Sequence, residues 1–310
     1  MTGEEIQFFF YDLCQFLLNG IAQGSIYALI ALGYTMVYGI IKLINFAHGE
    51  FYMIGAFIGY YICRYLISVD MDPALALLIG LPLAMIGSGT IAVIVEKLVY
   101  RPIRGHGRIT PLITALGASL FFQYLGQGTV GAEPKAFPSL ISSDGIGFFD
   151  DNIFISYVQI LIMALTLLIM TFLWWLVTHT KIGKAMRATS YNRNAAELMG
   201  IDTDKVISFT FFLGASLAGA TGVLVGMYYN TVEPMMGLIP GLKAFIAAVL
   251  GGIGIIPGAA LGGLVLGIAE NLVVGFWIST YRDAVAFAIL ILILLIKPAG
   301  LLGKNVKEKV

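Results

Sequence analysis

Polar positions along this chain are few and clustered, and between the clusters apolar residues run on. Apolar stretches fall near 13–41, 45–68, 74–98, 110–130, 153–178, 206–229, 241–256, 258–278 and 283–302. About 20 helical residues cross the hydrocarbon layer. With no water there to satisfy backbone groups, such runs predict helices. The pattern predicts an all-α polytopic integral membrane protein with about eight or nine transmembrane helices. The first run is long and has room for a break at Gly20–Gly24. The run 241–278 splits into two short pieces around GGIGIIPG (251–258), and INFAHGEF (44–51) interrupts another apolar stretch. Broken or re-entrant segments are expected at both places.

Small residues recur at i, i+4 spacing in four stripes: Gly20, Gly24, Ala28; Gly80, Ala84, Ser88, Ala92; Gly214, Ala218, Gly222, Gly226; and Ala259, Gly263, Gly267. In lipid, such stripes let helix backbones approach closely, so they predict a tight bundle. A subunit interface or sliding face would use the same residues.

Composition sharpens this picture. Charged residues make up 12% of the 310-residue chain and hydrophobic ones 59%, against ~25% charged in a soluble domain. The connecting loops are short, so one transmembrane domain over residues 1–310 is expected, with no soluble domain. A net charge of zero leaves no nucleic-acid footprint. Cys14 and Cys63 have neither metal-ligand nor disulfide-framework spacing. The N-terminus carries Glu4, Glu5 and Asp12 and no Lys or Arg. A cleavable signal peptide has the opposite charge, so the first span is expected to remain as an anchor.

Charge placement sets the orientation, because Lys and Arg collect in cytoplasmic loops. The 97–108 loop has Lys97, Arg101, Arg104 and Arg108. The 179–205 segment has Lys181, Lys184, Arg187, Arg193 and Lys205, and the tail has Lys297, Lys304, Lys307 and Lys309. All three are expected inside. The 131–152 loop, with Glu133, Asp144, Asp150 and Asp151, is expected outside, as are the N-terminus and the turn with Asp70 and Asp72. Opposite termini require an odd number of crossings, which favours nine, or eight with a re-entrant piece at 241–258.

No G-x-x-x-x-G-K-[ST] phosphate loop and no H-E-x-x-H helix occur, and no nucleophile stands with a base at recognisable spacing. The chain is therefore read as no enzyme; energy for any pumping must come from a partner or an ion gradient.

The segment KAMRATSYNRNAAELMGIDTDK (184–205) concentrates charge inside the expected cytoplasmic loop. Residues 183–189 suit a short helix. Asn194 suits an N-cap with Glu197 reaching back three residues later, and Gly200 suits the left-handed position that ends a helix. The predicted short helix has an apolar tip of Ala195, Ala196, Leu198, Met199 and Ile201. Either that tip folds back onto the bundle or headgroups, or it docks a cytoplasmic partner.

This segment resembles the coupling loop of bacterial ABC-importer permeases. More closely, GSIYALIALGYTMVYGIIKLINFAHGEFYMIGAF (24–57), GKAMRATSYNRNAAELMGID (183–202) and LKAFIAAVLGGIGIIPGAALGGLVLGIAEN (242–271) resemble the branched-chain amino-acid permeases, of the shorter type. The resemblance covers about residues 16–303. It implies a permease subunit of an ATP-driven importer in the inner membrane. The implied assembly pairs it with a second permease, two ATP-binding subunits and a periplasmic amino-acid-binding protein. No cofactor is implied in this chain, because ATP is bound by the partner subunits. The coupling residues would be Arg187, Asn194, Ala195, Ala196, Glu197, Leu198 and Gly200.

Intramembrane polar groups are costly and default to functional candidates. Asn45, His48 and Glu50 are the first group. A half-helix end there could meet a zwitterion; alternatively His48 and Glu50 satisfy each other and only fix a bend, or Glu50 lies at the interface near Lys42. Gly252 and Pro257 mark the second break, a pore constriction or a plain helix–turn–helix. Glu270 and Asn271 are the third group, lining the path or pairing with Arg282 or Lys243. Glu96, beside Lys97 at a span end, is read as interfacial. A largely apolar lining suits a small neutral amino acid. Rival readings are a urea or amide importer permease and a self-contained ion-coupled carrier. An intramembrane enzyme would need a nucleophile or metal ligands near His48 and Glu50, which the sequence lacks.

Overall fold

The computed structural model describes residues 3–42, 45–105, 107, 109–142 and 144–303. Ile44, Arg108, Lys304, Lys307 and Lys309 of the sequence reading lie outside the described residues. Twelve helices and four short strands are described: α1 (Gly3–Ile41), α2 (His48–Ser68), α3 (Pro73–Val95) continuing through a π-turn at Glu96–Tyr100 into α4 (Arg101–Ile103), α5 (Ile109–Val130), β1 (Lys135–Ala136), β2 (Gly145–Phe148), β3 (Ile153–Ser156), α6 (Tyr157–His179), α7 (Lys181–Tyr191), α8 (Arg193–Leu198), α9 (Thr203–Tyr229), β4 (Thr231–Val232), α10 (Leu238–Gly251), α11 (Ile256–Phe276) and α12 (Arg282–Ile296). Among the described residues eight helical stretches are long and apolar enough to span a membrane, and α10 is a shorter apolar helix.

Local chemistry sets several boundaries. Asp72 accepts from the backbone N–H groups of Ala74 and Leu75, with Pro73 opening α3. Ser156 and Gln159 form a reciprocal capping box at the start of α6. These side chains satisfy donors that a helix start leaves free. No break occurs at Gly20–Gly24: α1 is one helix of 39 residues, and those glycines serve packing instead.

The predicted stripes find partners. A Cβ on Gly24 would lie 2.8 Å from the Cα of Leu264 on α11, and one on Gly263 would lie 2.6 Å from the Cα of Ala28. The first and fourth stripes therefore form one α1–α11 seam. Gly219 packs on Ala84 and Ser88 of α3, and Gly222 packs against Tyr52 and Ala56 of α2. Ser88 donates to the carbonyls of both Phe51 and Ala215, at 2.8 and 2.9 Å. Backbones this close exchange dispersion contacts that lipid would otherwise supply.

The bundle has two distinct ends. At one, Arg104 donates to Asp204 at 2.9 Å, Ser190 donates to the Gly39 carbonyl, and Leu301 and Leu302 donate to Leu250 and Gly251. This end gathers α4, α7, α8 and the last described residues. At the other, β1 pairs with β4, β2 pairs with β3, and the backbone N–H of Phe154 donates to Gln15 at 2.7 Å. Residues 230–251 join the two ends. They begin at β4, bring Gly237 against Gly49 inside the bundle, and continue as α10 to a turn where Gly254 meets Gly39. This discontinuous passage thus runs from one end of the bundle to the other beside the eight long helices.

Candidate functional site

The first part of the site is the α7–α8 end. Thr180 caps α7 by accepting from Gly183. The cap of α8 is Asn192, which accepts from the N–H of Ala195 at 3.0 Å; Asn194 lies exposed inside the helix instead. The sequence reading placed this cap two residues late, because a second asparagine follows Arg193. Asn192 holds an extended backbone, the conformation of an N-cap. Gly200 takes φ +83°, as its terminating position requires. Arg187 donates to the Val177 carbonyl and ties α7 to the end of α6. Ala195 is exposed and Ala196 is buried beneath the helix. Leu198 is 88% exposed, Met199 83% and Tyr191 95%. The predicted tip is therefore divided: Ala196 is buried and Ile201 packs half-buried against the bundle, whereas Leu198 and Met199 stand uncovered within this chain.

Glu197 does not reach back to its helix start. It accepts from Arg193 at 3.0 Å and from the Thr203 hydroxyl at 2.5 Å. The Thr203 bond first, and then Arg193, hold its carboxyl below the usual glutamate range. Asp202 is likewise held low, by the backbone N–H of Lys205 and then by the Lys205 side chain. Arg193 also reaches Asp204 at 3.2 Å, and Asp204 accepts from Arg104. Arg104 pairs in turn with Glu96. Glu96 is fully buried, against the interfacial reading, and also accepts from Ser208 at 2.5 Å and from Arg101 at 3.3 Å. An unbroken chain of charged contacts thus runs from α8 to the ends of α3 and α9. Sequence reasoning missed it because its members are up to 112 positions apart; their only signal was a surplus of Arg opposite Glu96 and Asp204 in two loops sharing one end.

The second part is a buried polar layer where α2 and α10 begin. A Cβ on Gly237 would overlap the Gly49 backbone and lie 3.3 Å from Oε2 of Glu50. Asn45 accepts from Tyr100 at 2.7 Å and from the N–H of Ala47 at 3.1 Å. Glu50 accepts from Ser119 at 2.9 Å and Gln123 at 2.8 Å, both on α5. His48 and Glu50 do not satisfy each other, and Glu50 is 1% exposed rather than interfacial. The His48 ring lies 4.5 Å from that of Tyr34. Nδ2 of Asn45, Nε2 of His48 and Oε2 of Glu50 are buried without side-chain hydrogen-bond partners among the described residues. Orphaned buried polar atoms are costly, and three lie in this one layer.

The third part is an ionic cluster under an open cleft. Glu270 is fully buried and pairs with both expected partners, Lys243 and Arg282, at 2.9 Å each. Tyr27 donates to it at 2.8 Å. Asn271 bonds the Gly267 carbonyl one turn back and stays outside the cluster. Above it opens a cleft of about 710 Å³ walled by α1, the 231–240 passage and the start of α12. Gly252 ends α10 at φ +108°, and Pro257 sits exposed in the first turn of α11. The second break is thus a helix–turn–helix at the α7–α8 end.

Comparison with known proteins decides the family. The family model described as branched-chain amino acid transport system / permease component matches residues 16–294. The chain belongs to this family. It is a multi-pass membrane permease, a component of a larger ABC transport system. The high-affinity branched-chain amino acid transport system permease protein BraD of Pseudomonas aeruginosa is 44% identical to it over 97% of this chain and 99% of its own length. LivH of Escherichia coli is 43% identical over the same shares. A probable LivH of Methanocaldococcus jannaschii is 27% identical over 94% of this permease and 93% of its own length.

Proposed function

We propose that this permease forms the translocation path of an ATP-driven importer for branched-chain and other aliphatic amino acids. Its partners are a second permease, two ATP-binding subunits that carry the nucleotide, and a periplasmic amino-acid-binding protein. It lies in a bacterial inner membrane with the α7–α8 end and the C-terminus in the cytoplasm and the N-terminus outside. Family membership supports the transport system and its cargo class. The observation that carries the coupling role is the uncovered apolar tip, Leu198 and Met199, on a capped helix tied rigidly to the bundle. Such a knob costs solvation until a partner covers it. Arg187, Asn194, Ala195, Ala196, Glu197, Leu198 and Gly200 form the docking element. ATP-driven closure of the partner subunits pushes it, and the charged contacts from Glu197 to Glu96 carry the displacement to α3 and α9. Asn45, His48 and Glu50, where two helix starts meet, lie along the path, with Gly252, Pro257, Glu270 and Asn271 flanking it.

The test is purification of the tagged chain from its host in mild detergent, with mass spectrometry of co-purifying proteins and leucine uptake by the reconstituted assembly. Two ATP-binding subunits, a second permease and ATP-dependent uptake are expected. A chain that emerges alone and transports leucine without ATP would refute the proposal.

A further inference from the structure

Lys243 is 4% exposed, yet its ammonium reaches the 710 Å³ cleft. It contacts Glu270 at 2.9 Å, Asp283 at 2.6 Å and the Tyr27 hydroxyl at 3.4 Å. Two of these contacts differ in kind. Glu270 is fully buried and already shared with Arg282, so it is a fixed counter-charge. Asp283 is 54% exposed, lines the cleft, and sits in the first turn of α12, a helix with almost no buried surface of its own. Lys243 and Arg282 balance Glu270 and Asp283, so the four groups are neutral together. The cleft wall beside them carries Ile26, Val225, Met235 and Ile239, and Glu233 stands at its edge without an ion-pair partner among the described residues.

We infer that this cleft is a zwitterion site: an α-amino acid enters between Lys243 and Asp283, its carboxylate on the Lys243 ammonium and its own ammonium on Asp283. The inference rests on the importer reading above and names where the substrate is received. Insertion of a zwitterion into an existing ion pair creates no uncompensated charge, the condition a partly desolvated site imposes. A lone carboxylate or a lone amine entering the same gap would leave one member of the pair unmatched. The aliphatic side chain lies along the Ile26, Val225, Met235 and Ile239 wall.

The experiment uses the complete reconstituted transporter carrying Ser279→Cys, an exposed position lining the cleft, with Cys14→Ser to remove the other accessible thiol. A charged, membrane-impermeant maleimide reports access. Leucine, delivered with leucine-loaded binding protein, is expected to slow labelling about fivefold or more, the scale of a partly exposed ion pair. The half-molecules 3-methylbutylamine and 4-methylpentanoate are expected to slow it less than about twofold each by the same scale. Asp283→Asn in this background is expected to lower leucine protection about fivefold, since the ammonium loses its partner. ATP-dependent uptake with labelling rates that ignore leucine would overturn the zwitterion site and leave the importer reading standing. Equal protection by the amine alone would overturn it as well, because the carboxylate contact would be idle. No uptake of any branched-chain amino acid by the complete assembly would overturn the importer reading and the site with it.

Discussion

Replacing Glu96 by alanine is the sharpest test of how the α7–α8 end is held. The carboxylate is fully buried and shared by Arg101, Arg104 and Ser208. Removing one partner of a buried ion pair costs about 3–5 kcal/mol, because the other charge stays desolvated. Two features lower that figure here. The Arg101 side chain is 35% exposed and can turn to water, and Arg104, at 8%, keeps Asp204. The loss expected for Glu96→Ala is therefore ~3 kcal/mol, at the low end of that range. At ~2.1 cal/mol/K of unfolding entropy per residue, 1 kcal/mol moves the melting midpoint of a 310-residue chain by roughly 1.5 °C, so a fall of about 4–5 °C is expected. Glu96→Gln keeps an acceptor for Ser208 and should lose about half as much, the neutral hydrogen bond being the weaker part of the pair. The double variant Glu96→Ala/Arg104→Ala should recover part of the loss, since no unmatched charge remains. The assay is thermal unfolding of the purified complex in detergent at one scan rate, read by the loss of the monodisperse species. A shift within about 2 °C of that of Glu133→Ala, an exposed control in the far loop, would refute the argument, because surface changes usually stay near ±0.5 kcal/mol.

Four other outcomes are expected. Leu198→Asp with Met199→Asp should leave the chain folded in the membrane but lower ATP-driven leucine uptake and recovery of ATP-binding subunits by about tenfold or more, the loss of ~1.4 kcal/mol or more of interface; unchanged recovery would count against docking there. Gly24→Val forces a side chain into the α1–α11 seam, where even a Cβ meets Leu264, and overpacking of ~1–3 kcal/mol or more should reduce the folded yield measured by size exclusion. Because Glu197 is held low by Thr203 and Arg193, its contribution is complete above the ordinary glutamate value of ~4.3 and is lost as pH falls through its lower folded value; the protection factors of amides in 192–203, taken relative to the intrinsic exchange rate at each pH, should be flat from pH 7 to about 5 and fall only under more acid conditions, and Glu197→Gln should abolish that pH dependence. Ser119→Ala with Gln123→Leu removes both donors to Glu50 and should loosen α5, seen as faster protease cleavage of the 104–109 segment; an unchanged cleavage rate would remove Glu50 from the role of anchoring α5.

Much of the bundle was legible because a bilayer restricts the alternatives. Uninterrupted apolar runs had to be helices, and seven of the eight long ones fall within about six residues of their predicted places, whereas α1 begins ten residues before its predicted run, at Gly3. Two stripes of small residues met each other along α1 and α11, because close approach is what small residues permit. The break at 251–258 was visible in Gly252, Gly254 and Pro257. What escaped was set by partners distant in the chain. Glu96 beside Lys97 reads as a surface pair in a linear sequence; only the fold brings Ser208 and Arg104 onto it. The helix cap fell on Asn192 rather than Asn194, since either asparagine satisfies the motif and backbone conformation decides. Glu50 was read against its neighbours His48 and Lys42, whereas its partners come from α5, about 70 positions away. For Glu270 the sequence left lining the path or pairing with Arg282 or Lys243 open; both cations reach it, because few opposite charges exist for a buried carboxylate to choose from.

The passage 230–251 also bears on how the chain is made. At 14 residues α10 is ~21 Å long, about two-thirds of the hydrocarbon thickness. Insertion machinery that weighs hydropathy over about 20 residues meets no full-length signal in it. Its depth is instead fixed by neighbours: Gly237 on Gly49 at its start, and Gly251 against Gly258 where it turns into α11.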